Sequence, residues 1–198
     1  MSENPKHDVR IFDRFTWTNV PRSHAFLNDQ TLLIETEPQT DFWQRTSYGF
    51  RRDNGHSLLT RVEGDFVLTA RFEFSPVYLY DQCGLLVRLD EENWIKASTE
   101  YENADISRLG SVVTNLGYSD WATTDISSEI RTMHYRISRK GQDFIIESSY
   151  QGVEWMQMRM AHLHRETESL QVGVYACSPQ NSSFKCQVDR LVLEEAAN

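Results

Sequence analysis

Residues 64–75 read GDFVLTARFEFS. Phe66, Leu68, Ala70, Phe72 and Phe74 fall on one face of an extended chain, and Val67, Thr69, Arg71 and Glu73 fall on the other. A period of two with one apolar face is the pattern of a half-buried β-strand. The same habit recurs downstream. Tyr135 and Ile137 alternate with His134, Arg136 and Ser138; Val172, Val174 and Ala176 alternate with Gln171, Gly173 and Tyr175; Leu191 and Leu193 continue it. Further strands are expected at 31–36, 42–48, 57–62, 84–89, 94–101, 111–115 and 144–150. Turn signals separate them, among them Asp53-Asn54-Gly55, Glu63-Gly64 and Lys140-Gly141. Helical periodicity is weak. Residues 125–133 could form one or two turns, and 161–169 reads as a polar loop. Many short strands without crossover helices predict an antiparallel sandwich.

The chain has 198 residues, and its 23 aromatic side chains are spread along it without a linker-like gap. One domain over residues 1–198 is expected, with an ordered core of about 9–194 and frayed ends at 1–8 and 194–198. A core of this size buries roughly 70–75% of the unfolded chain's surface and needs no disulfide or metal. Apolar residues are 39% and charged residues 25%, which argues against disorder. No run of about 18 apolar residues is present to span a bilayer, and the first residues hold no apolar stretch that would serve as a signal peptide. The formal charge of −9 disfavours nucleic acid. Cys83, Cys177 and Cys186 are odd in number and far apart, which reads as reduced thiols in a cytoplasmic protein.

Residues 80–101, YDQCGLLVRLDEENWIKASTEY, carry the functional reading. Cys83, Leu85, Val87 and Leu89 share one face of a strand and are assigned to the core; Gln82, Gly84, Leu86 and Arg88 share the other. A hairpin with a five-residue loop at 89–93 pairs Arg88 with Trp94, Leu86 with Lys96, Gly84 with Ser98 and Gln82 with Glu100. One face then carries Gln82, Arg88, Trp94, Lys96 and Glu100 over a floor of Gly84 and Ser98. A ring beside amide, carboxylate and cationic groups suits a sugar, whose C–H face stacks and whose hydroxyls need both donors and acceptors. Arg136 and Tyr175 are expected to extend this face. An ordinary solvated face with cross-strand ion pairs is the competing reading.

Other constellations are weaker. Glu100 and Glu102 lie two apart on an extended segment, so Glu100 is a candidate acid or base, with Asp81 or Glu102 as a second carboxylate. His162 and His164 lack further ligands at metal spacing, so no metal and no cofactor are expected. Two readings stand for Trp121 after Ser119-Asp120: a ring folded on a sheet edge, or a second stacking ring at a groove rim. No nucleophile elbow, phosphate loop or dinucleotide fingerprint is present.

Several segments together resemble a known family. They are Thr40-Asp41-Phe42-Trp43, Thr46-Ser47-Tyr48-Gly49, Asn54-Gly55-His56, the 80–101 hairpin, Val112-Val113-Thr114, Ser119-Asp120-Trp121, Arg136-Ile137-Ser138-Arg139 and residues 172–179. In this order the chain resembles an uncharacterised bacterial and fungal family that includes the fungal regulation-of-enolase protein. The resemblance implies a concanavalin A-like lectin/glucanase fold, an all-β jelly-roll sandwich of two curved antiparallel sheets. It implies a site at Thr46, Asp81, Gln82, Trp94, Lys96, Glu100, Thr114, Asp120 and Arg136, joined by Arg88 and Tyr175 from the strand reading. Three functions remain: binding of a small carbohydrate, sugar acid or sugar phosphate; non-enzymatic regulation of a metabolic enzyme through protein binding; or glycoside processing with Glu100.

Overall fold

Phe66, Leu68, Ala70, Phe72 and Phe74 are all buried, and their strand is the middle one of a seven-stranded sheet. The computed structural model describes residues 11–195, so the expected frayed end at 1–8 and residues 196–198 lie outside the described residues. After a 3-10 turn at Ile11–Arg14 the chain forms strands only. In order these are β1 (Thr16–Thr18), β2 (Ser23–Asn28), β3 (Thr31–Glu35), β4 (Phe42–Gln44), β5 (Arg51–Asp53), β6 (His56–Glu63), β7 (Phe66–Ser75) and β8 (Gln82–Asp90). There follow β9 (Asn93–Tyr101), β10 (Ile106–Asn115), β11 (Tyr118–Ser127), β12 (Thr132–Lys140), β13 (Asp143–Ser149), β14 (Met156–His162), β15 (Ser169–Cys177) and β16 (Lys185–Glu195).

Two seven-stranded antiparallel sheets stack as an all-β jelly-roll sandwich. The first has the order β1-β6-β15-β8-β9-β10-β11, the second β14-β13-β12-β7-β16-β3-β2. Between them lies one apolar core. The first sheet supplies Leu85, Val87, Ile95, Ala97, Val172 and Val174, and the second Leu68, Phe72, Tyr135, Ile137 and Val188. Tyr135 is buried between the layers, and its phenol meets the Thr99 hydroxyl at 2.6 Å, so its polar group is satisfied in the core.

Residues 125–133 are not helical. β11 continues through Ser127, a turn follows, and β12 begins at Thr132, because Ile126 and Met133 contribute to the inter-sheet core from two successive strands. Residues 42–48 form a strand only as far as Gln44. Arg45, Ser47 and Gly49 then take left-handed conformations with φ of 57°, 63° and 74°. The short β4–β5 pair stands outside both sheets. Residues 194 and 195 close β16 instead of fraying. No helix among the described residues is long and apolar enough to cross a membrane.

Candidate functional site

The pairing of β8 with β9 sets the site. Arg88 faces Trp94, Leu86 faces Lys96, Gly84 faces Ser98 and Gln82 faces Glu100. Cys83, Leu85, Val87, Ile95 and Ala97 point into the inter-sheet core, so Gln82, Lys96 and Glu100 turn to the outer face of the first sheet. Gly84 is required by strand approach. A Cβ there would lie 1.8 Å from the Ala97 carbonyl oxygen, so the position belongs to the ladder and not to a ligand.

The β4–β5 hairpin lies across that outer face and builds a second apolar cluster on it. Phe42 packs on Trp94 and Tyr175 at ring-centroid distances of 6.1 and 5.9 Å, and Leu59, Leu86, Val112 and Cys177 complete the cluster. The hairpin is tied down on both arms. Arg88 grips Asp53 with two bonds of 2.6 and 2.7 Å, and Arg45 reaches Glu92 at 3.2 Å. The Gln44 amide N–H donates to Ser119 Oγ at 2.9 Å, and that hydroxyl in turn meets Thr114 Oγ1 at 2.8 Å. Asp41 is clamped where the hairpin begins and ends. Its N–H donates to Asn54 Oδ1, and its carbonyl accepts from the Asn54 and Gly55 amides.

Beside this cover the face opens into a cavity of about 300 Å³. Its walls are aromatic: Trp43, Tyr48, Phe50, Tyr80 and Trp121. Trp43 stands edge-on to Trp121 at 83° and 6.4 Å, and its indole N–H donates to the Thr46 carbonyl at 3.0 Å, which fixes the ring. Its polar floor is a single cluster. Lys96 Nζ donates to Gln82 Oε1 at 2.7 Å and to the Phe42 carbonyl at 3.2 Å, and stands 3.8 Å from Asp41 Oδ1 and 3.9 Å from Glu100 Oε1. Tyr175 donates its hydroxyl to the same Gln82 oxygen at 2.9 Å.

Burial works against charge on Lys96, but the Glu100 and Asp41 carboxylates outweigh it and hold the ammonium's pKa above its ordinary value. Burial pushes the Glu100 carboxyl up to about 7; Lys96 opposes this and Asp41 adds to it. Glu100 is therefore poised near neutrality at the pocket floor, and among the described residues no group donates a hydrogen bond to it closer than the Lys96 contact. An ammonium offers three donors, and two are committed inside the protein. A polyhydroxylated ligand would find a carboxyl able to accept or donate, ring faces, and a Lys96 ammonium whose third N–H lies toward the Asp41 and Glu100 carboxylates.

The expected site residues separate into three groups. Gln82, Lys96 and Glu100 line the pocket. Arg88, Trp94, Thr114, Thr46 and Tyr175 instead hold its surroundings. Trp94 is fully buried beneath Phe42 with its indole N–H on the Glu91 carbonyl, so it does not offer the stacking surface expected of it. Tyr175, the cross-strand partner of Gly84, is fully buried against Phe42 beside the floor of Gly84 and Ser98, so it does not offer a free surface there. Asp81 accepts the Val77 and Tyr78 amides and the Ser182 hydroxyl, and so fixes the loop that presents Tyr80. The third group lies elsewhere. Arg136 belongs to β12 of the second sheet, where it pairs with Glu147 at 2.6 Å and covers Trp155. Asp120 is exposed and pairs with Arg159 at 2.9 Å. Glu102 is held by Arg108 at 3.0 Å, so the carboxylate that joins Glu100 is Asp41.

A family match covers residues 17–196, nearly the whole chain. The chain belongs to the DUF1349 family. That family is described as a protein of unknown function. The Saccharomyces cerevisiae protein named Regulation of enolase protein 1 is 35% identical over 170 residues, which cover 86% of this chain and 84% of that one. A crystal structure of a functionally unknown S. cerevisiae protein superposes with a TM-score of 0.87 at 32% identity, covering 94% of this chain and 99% of that one. A GH43 protein from Bacillus licheniformis superposes with a TM-score of 0.67 at 14% identity, over 84% of this chain and 33% of that one. At that identity the likeness extends to the fold alone.

Sequence reasoning did not find Asp41, Arg52, Tyr80 or the aromatic lid of Trp43, Tyr48 and Phe50 as site residues. A signal was present. Phe42 and Trp43 are adjacent bulky rings, and a strand with one buried face cannot bury both. β4 does bury both, because it is covered from two directions.

Proposed function

We propose that this family member binds a small carbohydrate-like ligand in the pocket between the β4–β5 hairpin and the outer face of the first sheet. One observation carries the reading: five aromatic rings surround a buried cluster of Lys96, Glu100, Asp41 and Gln82 within a single cavity. Ligand sites are mostly apolar with a few placed polar groups, at roughly 300–1,000 Å³, and this cavity sits at the lower end of that range, which suits a single small molecule and not a long polymer. Binding is favoured over turnover by the state of the second carboxylate. Asp41 Oδ1 is occupied by the Phe42 N–H at 2.8 Å and faces Lys96, whereas a glycosidase needs its second carboxylate free to attack or to activate water. Three buried, unpaired cysteines fit residence in a reducing cytoplasm.

The test is titration of the protein with a panel of neutral sugars, sugar acids and sugar phosphates, followed by tryptophan fluorescence, with Trp43 and Trp121 as reporters. Saturable quenching and a raised melting temperature support the reading; a flat response to the whole panel overturns it.

A second reading draws on the relative named Regulation of enolase protein 1. In it the chain acts on a metabolic enzyme by protein binding. Saturable association with purified enolase, unaffected by any sugar of the panel, would favour it over the first.

A further inference from the structure

Four residues of the pocket carry formal charge: Asp41, Arg52, Lys96 and Glu100. Lys96 already has two carboxylates within 4 Å. Arg52 has none. Its cross-strand partner is Trp43, which sets it on the aromatic side of the hairpin. Its guanidinium rests 5.7 Å from the Phe50 ring centroid, and Nη1 donates to the Pro179 carbonyl at 3.2 Å. The neighbouring arginines each have a carboxylate partner: Arg45 and Arg51 share Glu92, and Arg88 holds Asp53. A guanidinium carries five N–H donors, and four of these have no protein partner among the described residues. The guanidinium is thus held in place by a ring and a carbonyl at the pocket wall, with no carboxylate within 4 Å among the described residues.

We propose that Arg52 is the anion-recognising residue of this pocket and that its ligand is a sugar carboxylate, of the uronic- or aldonic-acid class. The inference rests on the carbohydrate reading of the same site. The ligand's carboxylate meets the Arg52 fork, whose planar geometry matches it with two parallel bonds. The ligand's hydroxyls meet Gln82, Lys96 and Glu100, and a ring face of the ligand lies against the aromatic wall. One guanidinium without a carboxylate partner, in a pocket that already holds Asp41 and Glu100, suits a monocarboxylate. A phosphate monoester carries close to two negative charges at neutral pH and would stand in the field of both Asp41 and Glu100.

The experiment is calorimetric titration of the full chain at pH 7 with glucuronate, galacturonate and gluconate, the methyl esters of the two uronic acids, glucose, galactose and glucose 6-phosphate. Wild-type protein should bind at least one acid about tenfold or more tighter than its uncharged counterpart. Arg52→Gln should weaken that acid roughly 10- to 150-fold, the equivalent of charge-assisted hydrogen bonds, and leave the uncharged counterpart within about threefold. Arg52→Lys, which keeps the charge and loses the fork, should fall between the two. Equal binding of acid and uncharged counterpart by wild type, a preference that survives Arg52→Gln, or tighter binding of the phosphate each overturns the Arg52 assignment and leaves the carbohydrate reading standing. Failure of every titrant to bind overturns both.

Discussion

Glu100→Gln isolates the energetic cost of the pocket's acidic floor. In the folded protein the Glu100 carboxyl titrates at about 7 instead of 4.5, because burial penalises its charged form more than Lys96 rewards it. The folded state thus holds this proton more tightly than the unfolded state. Between about pH 4.5 and 7 the native protein binds more protons at this site, so stability falls as pH rises. The contribution is fully present below the unfolded pKa and is gone above the folded one. At 1.36 kcal/mol per pH unit the whole effect is about 3 kcal/mol, and between pH 5 and 8 it is about 2–3 kcal/mol. The glutamine is close in shape and does not titrate. Urea unfolding of wild type and Glu100→Gln at pH 5 and at pH 8, followed by tryptophan fluorescence, gives four stabilities. Wild type should lose about 2–3 kcal/mol more than the variant on going to pH 8. Burial lowers the pKa of His56 and His134, whose contributions run the opposite way, but both are present in the two proteins and cancel in the comparison. If the two proteins change in parallel, within about 0.5 kcal/mol, Glu100 is not a carboxyl held near neutrality and the account of the pocket floor fails.

Trp94→Ala should lose about 3–5 kcal/mol in chemical denaturation, because the indole is fully buried under Phe42; a loss below about 1 kcal/mol would mean the hairpin does not cover it. Asp53→Ala removes the acceptor of both Arg88 bonds and should cost about 1–3 kcal/mol while speeding proteolytic cleavage within residues 45–51; an unchanged cleavage rate would show the hairpin to be held elsewhere. The variant Asp41→Asn/Lys96→Met/Glu100→Gln should keep the melting temperature of wild type within a few degrees and lose ligand binding, since a buried ionic cluster replaced by neutral groups of similar volume is often neutral for stability. A large fall in melting temperature would make the cluster structural.

The inner layers were legible because alternation reports face directly. The parity of residues 82–88 and 94–100 follows from apolar positions two apart, and it would survive a register slip of two residues; the expected pairs are the observed ones, although a bulge at Leu89 and the Asp90–Asn93 pair replace the expected five-residue loop. Alternation does not report which sheet a strand joins. Arg136 shares a face with Thr69 and Glu147 in the second sheet, on the far side of the core from the pocket, and nothing in the spacing of residues 134–138 carries that information. Nor does it report a cover. The arc from Asp41 to Gly55 contributes no strand to either large sheet, and it docks through side-chain contacts 35 to 75 residues apart in sequence. Those contacts turned Arg88, Trp94 and Thr114 from exposed ligand-binding candidates into fasteners. Gln82, Arg88, Trp94, Lys96 and Glu100 do share the outer face of the first sheet, and the chain itself covers part of it.

Lys96 shows why the remaining part is not another piece of packing. Across the first sheet it sits in a row with Leu86 on one side and Val112 on the other, and Val112 in turn faces Trp121. Its neighbours in the row are apolar, and Leu86 and Val112 bury their side chains in the outer cluster without polar partners. An apolar side chain at position 96 would extend that cluster at no desolvation cost. The chain instead places an ammonium there at 2% exposure and surrounds it with two carboxylates, an amide and a backbone carbonyl. Such a cluster contributes little net stability over an apolar replacement, because the desolvation of its ions offsets their attraction. Its polar atoms nevertheless converge on the aromatic-walled cavity of this face, where an apolar row would have left nothing to recognise hydroxyls. Packing alone does not explain the position, and the proposed ligand would.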